Sequence, residues 1–131
     1  MSKVNWLDIL GWNIDELEDI RFVAYTYIKE GQYEIALNFF EALIVLDPDN
    51  LYDLQILGAL YLQNGKSLDA LHYLDKSLKI EPNHTQTLLN RTKALFMLGY
   101  KKQAIAQARK LETSEDKSIS KQASALLLSY V

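Results

Sequence analysis

The stretch Leu54-Gln55-Ile56-Leu57-Gly58-Ala59-Leu60-Tyr61-Leu62-Gln63-Asn64-Gly65-Lys66-Ser67-Leu68-Asp69-Ala70-Leu71-His72-Tyr73-Leu74-Asp75-Lys76-Ser77-Leu78-Lys79-Ile80-Glu81-Pro82 decides the fold. Leu54, Leu57, Leu60 and Tyr61 keep helical spacing until Asn64-Gly65, where a glycine tolerates the left-handed backbone that ends a helix. Ser67 is placed to cap a second helix carrying Leu71, Leu74 and Leu78, and Pro82 cannot continue it. Ala70 is small enough to let two helix backbones approach. The stretch therefore predicts two helices joined by a tight turn.

Outward from this unit, the same marks recur at one period. Gly31, Gly65 and Gly99 are evenly spaced, Ala36, Ala70 and Ala104 repeat at the same interval, and Pro48 and Pro82 share it. These sets in one register identify three copies of one helical unit. They predict helices near residues 15–30, 33–46, 50–64, 67–80, 84–98 and 101–112. Thr113-Ser114-Glu115-Asp116 supplies capping hydroxyls and first-turn acids for a seventh, about 115–130, with Ile119, Ala123, Leu126, Leu127 and Tyr130 as its apolar stripe. It reads as a cap over the last repeat.

Composition narrows the function. The 131 residues are 49% hydrophobic and 24% charged, with two prolines and five glycines, which suits one folded domain and excludes a disordered chain. The absence of cysteine removes disulfides, thiolate metal sites and cysteine nucleophiles. Met1-Ser2-Lys3-Val4-Asn5-Trp6-Leu7-Asp8 does not read as a cleaved secretory signal, and no apolar run approaches the roughly 18 residues a bilayer requires. Net charge is −3, but residues 1–60 carry three bases against eleven acids and residues 91–131 carry eight against three. This gradient is either a set of solvated helix faces or a field that orients a charged partner. Nucleic acid is not expected, because Lys101, Lys102, Arg109, Lys110, Lys117 and Lys121 lack interleaved exposed aromatics.

These repeats resemble the tetratricopeptide family over residues 17–118. Its signature positions correspond to Ala24, Tyr27, Ala36, Phe40 and Pro48, then to Leu57, Gly58, Tyr61, Ala70, Leu74 and Pro82. The third copy keeps Leu88, Leu95, Gly99, Ala104, Ala108 and Leu111, but has Arg91 where an apolar residue is usual and Asp116 in place of the proline. The resemblance implies an all-α fold: three helix-turn-helix repeats (about 17–50, 51–84 and 85–118) in a right-handed superhelical stack, plus a C-terminal capping helix. In domain terms, an apolar segment 1–14 precedes a repeat domain 15–131.

Such a stack implies binding on a concave face lined by the first helix of each pair. In the family's register, the positions facing that groove are Phe22, Tyr25 and Ile28, then Tyr52, Ile56, Ala59 and Leu62, then Leu89, Lys93, Phe96 and Met97. Apart from Arg21 and Lys93 this stripe is apolar. Either it thickens the core or is covered by the N-terminal segment, or it receives an amphipathic helix in the helix-in-groove manner. Burying several hundred Å² there is worth on the order of 10 kcal/mol gross. A binding groove would make Tyr25→Asp, Ile56→Asp and Phe96→Asp abolish capture without unfolding the chain. The carboxylate clamp of tetratricopeptide domains that bind heat-shock chaperones needs polar and basic residues where Tyr25, Ile56 and Leu89 stand.

The run from Gly31-Gln32-Tyr33-Glu34-Ile35-Ala36 to Leu46-Asp47-Pro48, followed by Leu57-Gly58-Ala59, resembles the small tetratricopeptide chaperones of bacterial type III secretion. Length and trimmed ends favour the branch that serves the needle subunit; the branch that serves the pore-forming translocators is the alternative, and a general interaction scaffold a further one. The resemblance implies a bacterial cytoplasmic protein that holds a helical, self-assembling secreted subunit in its groove. It also implies a small co-chaperone. Val4, Trp6, Leu7, Ile9, Leu10 and Trp12 are too apolar for a free tail, so they pack on the first repeat or dock a co-chaperone or a second copy. Self-association of the free protein is left open.

Signals for chemistry are weak. Asp47-Pro48-Asp49-Asn50 with Asp53 fails as a calcium loop, because Tyr52 stands where glycine is needed and Gly58 where the bidentate glutamate belongs; Asp49 or Asn50 is better used as a helix cap. His72 and His84 have no ligand partner at suitable spacing. No phosphate loop, nucleophile elbow or zinc-protease motif is present, so neither catalysis, a metal nor a cofactor is expected.

Overall fold

The computed structural model describes residues 5–130. Among these every regular element is helical: α1 (Trp6–Leu10), α2 (Ile14–Lys29), α3 (Tyr33–Leu46), α4 (Leu51–Gln63), α5 (Ser67–Ile80), α6 (Thr85–Met97), α7 (Lys101–Glu112) and α8 (Lys117–Tyr130). Val4 lies outside the described residues. The seven helices expected from periodicity match α2 to α8 within about two residues, and the all-α helix-turn-helix repeat fold holds. The short α1 was not anticipated: Asn5 accepts the Asp8 N–H at 3.2 Å, and Gly11 ends the helix at φ 68°.

Local chemistry sets each helix end. Asn13 caps α2 by accepting the N–H groups of Asp15 and Glu16, while the Glu16 carboxylate accepts the Asn13 N–H. Gly65 sits at φ 76°, with Gly31 and Gly99 alike at 75° and 83°. At that turn Lys66 N–H donates to Tyr61 O at 2.9 Å and Gly65 N–H to Leu62 O at 3.1 Å, the paired bonds that close a helix through a left-handed residue. The residues before the prolines, Asp47 and Glu81, are extended at φ −142° and −131°, as the proline ring demands. Two expected caps differ. Lys66, not Ser67, stands at the start of α5 and makes no side-chain cap bond, whereas Ser67 is buried in the first turn. The cap of α8 is Asp116, whose carboxylate accepts the N–H of Ser118 at 2.9 Å and of Ile119 at 3.3 Å.

The chain divides into two compact units that meet within α4, between Leu57 and Gly58. In the N-terminal unit α2 packs on α3 and α1 touches α3. Leu17, Ala24, Ala36, Phe40, Leu43, Leu54 and Leu57 are buried, and Tyr27 stacks on Phe39 with ring centroids 5.6 Å apart. In the C-terminal unit α5 packs on α6, α6 on α7, and α8 on both α7 and α6. Leu89, Leu111, Ile119 and Ala123 form one buried cluster; Leu95, Phe96, Ala104 and Ala108 form another. Arg91, the departure from the family pattern, donates from Nε to Asp75 at 2.7 Å and from Nη1 to Gln107 at 3.0 Å, so a polar bridge joins α5, α6 and α7 where an apolar contact is usual.

A charged group is also buried in the N-terminal unit. Arg21 and Asp53 are 6% and 0% exposed. Arg21 donates from Nε to both Asp53 oxygens at 2.9 and 3.1 Å, from Nη2 to Asp53 at 2.7 Å and Asp47 at 3.0 Å, and from Nη1 to Glu18 at 2.7 Å. The knot ties α2 to the end of α3 and the start of α4. The hydrogen bond to Asp53 raises the affinity of the guanidinium for its proton, while burial pushes the Asp53 carboxyl above its usual range against the pull of Arg21.

Two outcomes follow for stability. A Cβ at Gly58 would lie 2.6 Å from Leu74 Cδ2, and Leu74 is fully buried, so Gly58→Ala is expected to lose about 1–3 kcal/mol in urea unfolding. Asp53→Ala removes the buried acceptor of Arg21 and leaves its guanidinium only Glu18 and Asp47, so it should lose about 1.5–3 kcal/mol, whereas Arg21→Met combined with Asp53→Leu should stay within about 1 kcal/mol of the parent. Equal losses in the single and double variants would contradict the charge-burial account.

Candidate functional site

Each expected groove position falls in one of the two units. In the N-terminal unit, Phe22 and Tyr25 on α2 and Tyr52 on α4 are exposed at 72%, 44% and 42%, and Ile28 and Ile56 are half-buried. The first three rings, with Glu18, Arg21 and Asn50, line an open depression of about 420 Å³. Helical geometry explains the grouping on α2: residues 18, 21, 22 and 25 fall at three- and four-residue steps and share one face. Asn50 holds the start of α4 in place by accepting the Asp53 N–H at 3.0 Å, the capping use expected of it. Tyr52 is anchored from beneath by Phe40, 6.2 Å away between ring centroids.

The electrostatics of this depression are not those of a plain apolar groove. Arg21 interrupts the stripe in sequence, but its guanidinium is turned inward onto Asp53. Glu18 keeps 62% of its side chain exposed and Asp47 37%. The Tyr52 phenol is pushed up, first by burial and then by Tyr25 and Asp53, with Arg21 pulling the other way. Lys29 places its ammonium 5.4 Å from the centre of the Tyr25 ring.

In the C-terminal unit the expected positions separate. Met97 is exposed at 48%, and Ala59, Leu62 and Lys93 are half-buried. Leu89 and Phe96 are core residues and not a free face, which corrects the reading of both as groove positions. Leu89 packs with Ile119 and Ala123, and the Phe96 ring is stacked under Tyr130 at 4.5 Å. The cause is α8, which packs on α6 as well as on α7. The sequence carries a signal for this: Ala123 and Tyr130 follow Leu89 and Phe96 by the interval that separates the repeat glycines, so α8 stands in register as the first helix of a further repeat.

Within the described residues 5–14, the N-terminal segment leaves the aromatic trio uncovered. Trp6, Leu10 and Trp12 are exposed, Leu7 is half-buried, and no residue of α1 is fully buried. His84 has a structural task, accepting the Thr87 N–H at the start of α6. Among the described residues no group of three or more histidine and acidic side chains is placed to hold a metal ion, and no helix is long and apolar enough to cross a membrane.

The geometry is that of known helical-repeat proteins. The translocator chaperone SycD of Yersinia enterocolitica type III secretion superposes with a TM-score of 0.75 at 20% identity, covering 98% of this chain and 99% of that one. PcrH, a Pseudomonas aeruginosa protein solved with the chaperone binding region of PopD, gives 0.77 at 21% identity over 92% and 94% of the two chains. The tetratricopeptide domain of Arabidopsis OM64 gives 0.77 at 22% identity over 89% and 98%. At these identities the likeness shows the fold. No curated protein sequence matches the chain. Residues 29–111, more than half of the chain, match the family described as anaphase-promoting complex, cyclosome, subunit 3. The chain is thus a small tetratricopeptide-repeat protein and belongs to that family.

Proposed function

We propose that this protein is a bacterial cytoplasmic chaperone of type III secretion that binds a segment of a translocator subunit before export. The observation that carries the reading is the uncovered aromatic face of Phe22, Tyr25 and Tyr52, in a fold shared with SycD and with PcrH, which was solved with the chaperone binding region of PopD. Such rings on rigid helices bury a large area at little entropic cost when a segment docks on them.

The translocator branch replaces the needle branch as the preferred reading. The case for the needle rested on length and trimmed ends, and the match to the solved SycD chain covers 99% of it, so neither separates the two branches. Ile28, Ile56, Ala59, Leu62, Lys93 and Met97 remain proposed contacts, each within its own unit. Trp6, Leu7, Leu10 and Trp12 form a second proposed contact, for a co-chaperone or a second copy. A general interaction scaffold is the competing reading, supported by the family match to a subunit of a multiprotein complex and by the likeness to a plant domain.

Coexpression with translocator and needle subunits of the same genome, with complex mass read by light scattering, separates these readings. The expected product is a discrete soluble complex with a translocator. Phe22→Asp and Tyr25→Asp should abolish it while shifting unfolding free energy by no more than about 0.5 kcal/mol, because both side chains are exposed. Phe96→Asp, in contrast, should unfold the C-terminal unit, since it places a charge under Tyr130. A complex with the needle subunit alone would restore the needle reading, and no complex with either would leave the scaffold. Deleting residues 1–12 should remove any co-chaperone or self-contact at little cost in stability.

A further inference from the structure

We propose that the depression between α2 and the start of α4 receives a basic side chain, lysine or arginine, from the segment that docks there. The inference rests on the proposed function only in taking that occupant to be part of a protein segment, and it supplies the chemistry of one anchor.

The walls are the rings of Phe22, Tyr25 and Tyr52, and Arg21 lies on the floor. A ring face carries partial negative charge and attracts a cation within about 6 Å of its centre. Tyr25 already does so, with Lys29 Nζ at 5.4 Å. The Arg21 guanidinium does not repel a second cation strongly, because Glu18, Asp47 and Asp53 all accept from it. Three carboxylates against the Arg21 guanidinium and the Lys29 ammonium leave an excess of negative charge, and Glu18 presents it at the mouth with 62% of its side chain in solvent. The wider field agrees: residues 1–60 hold eleven acids against three bases.

Charge complementarity then selects the occupant. A carboxylate would be repelled. A purely apolar side chain would bury against the rings but strip water from the Glu18 oxygen that Arg21 does not hold, which is unfavourable. A lysine or arginine lays its methylene stem along Phe22 and Tyr52 and brings its charge to Glu18, satisfying both halves of the site.

The test follows the ring signals of Phe22, Tyr25 and Tyr52 in the full-length protein by NMR during titration with the N-acetyl amides of arginine, lysine and norleucine. The basic ligands should shift all three rings saturably, with an affinity that falls as salt is raised, and norleucine should not. Glu18→Gln, a change at an exposed side chain, should weaken the arginine ligand about threefold. Equal shifts from norleucine would overturn the proposal and leave an apolar anchor site, with the chaperone reading intact. Silence from all three ligands would also overturn it. A full response to arginine in a protein that captures no translocator would instead defeat the function and keep the pocket.

Discussion

The turn between paired helices is the constraint on which the rest depends. A left-handed glycine recurs once in each repeat, at Gly31, Gly65 and Gly99, and the hydrogen bonds that flank it return the chain as a second helix against the first. Close packing then requires small or absent side chains at the crossing. Gly58 against Leu74 shows the tolerance directly, since one additional carbon has no room. With the second helix committed to the first in this way, one face of the first helix has no partner within its own repeat. What covers that face decides whether it is core or surface.

The two units resolve that question differently. In the C-terminal unit α8 covers the face of α6 and makes core of Leu89 and Phe96. In the N-terminal unit, α1 touches α3, and Phe22, Tyr25 and Tyr52 stay in solvent. Beneath them the Arg21 knot holds α2, the end of α3 and the start of α4 in a fixed arrangement. A buried ion pair adds little net stability over an apolar pair, but its donors have fixed directions, which defines how the aromatic wall is presented. The same knot gives the depression its acidic character, so the packing of this unit and the chemistry of its surface have one source.

The extent to which the site can be read in the sequence follows from how local each signal is. Helix ends are legible at Gly65, Pro48 and Pro82 because turn chemistry acts over a few residues. Asn50 is legible as a cap for the same reason. Ser67 departs from expectation, although serine is a common cap, because the turn from Gly65 places Lys66 at the cap position and carries Ser67 into the buried first turn. In the sequence Arg21 is a charge in an apolar stripe; its partner Asp53 is far along the chain, and nothing local announces the pair. The register offers a hint, since Leu89, which holds the position of Arg21 two repeats later, is fully buried, and a charge at an inward position calls for a buried acid.

By itself, then, the sequence determined the repeat, the number and limits of its main helices and the apolar character of the exposed first-helix face. These depend on backbone preferences and on the even spacing of glycine, alanine and proline, both carried by the chain without reference to distant contacts. Only the tertiary structure decided which part of that face is core, where the Arg21 charge goes, and that three aromatic rings and the exposed Glu18 share one depression. Burial is a property of what packs on a surface, and an amphipathic pattern does not specify which element will supply the covering side chains.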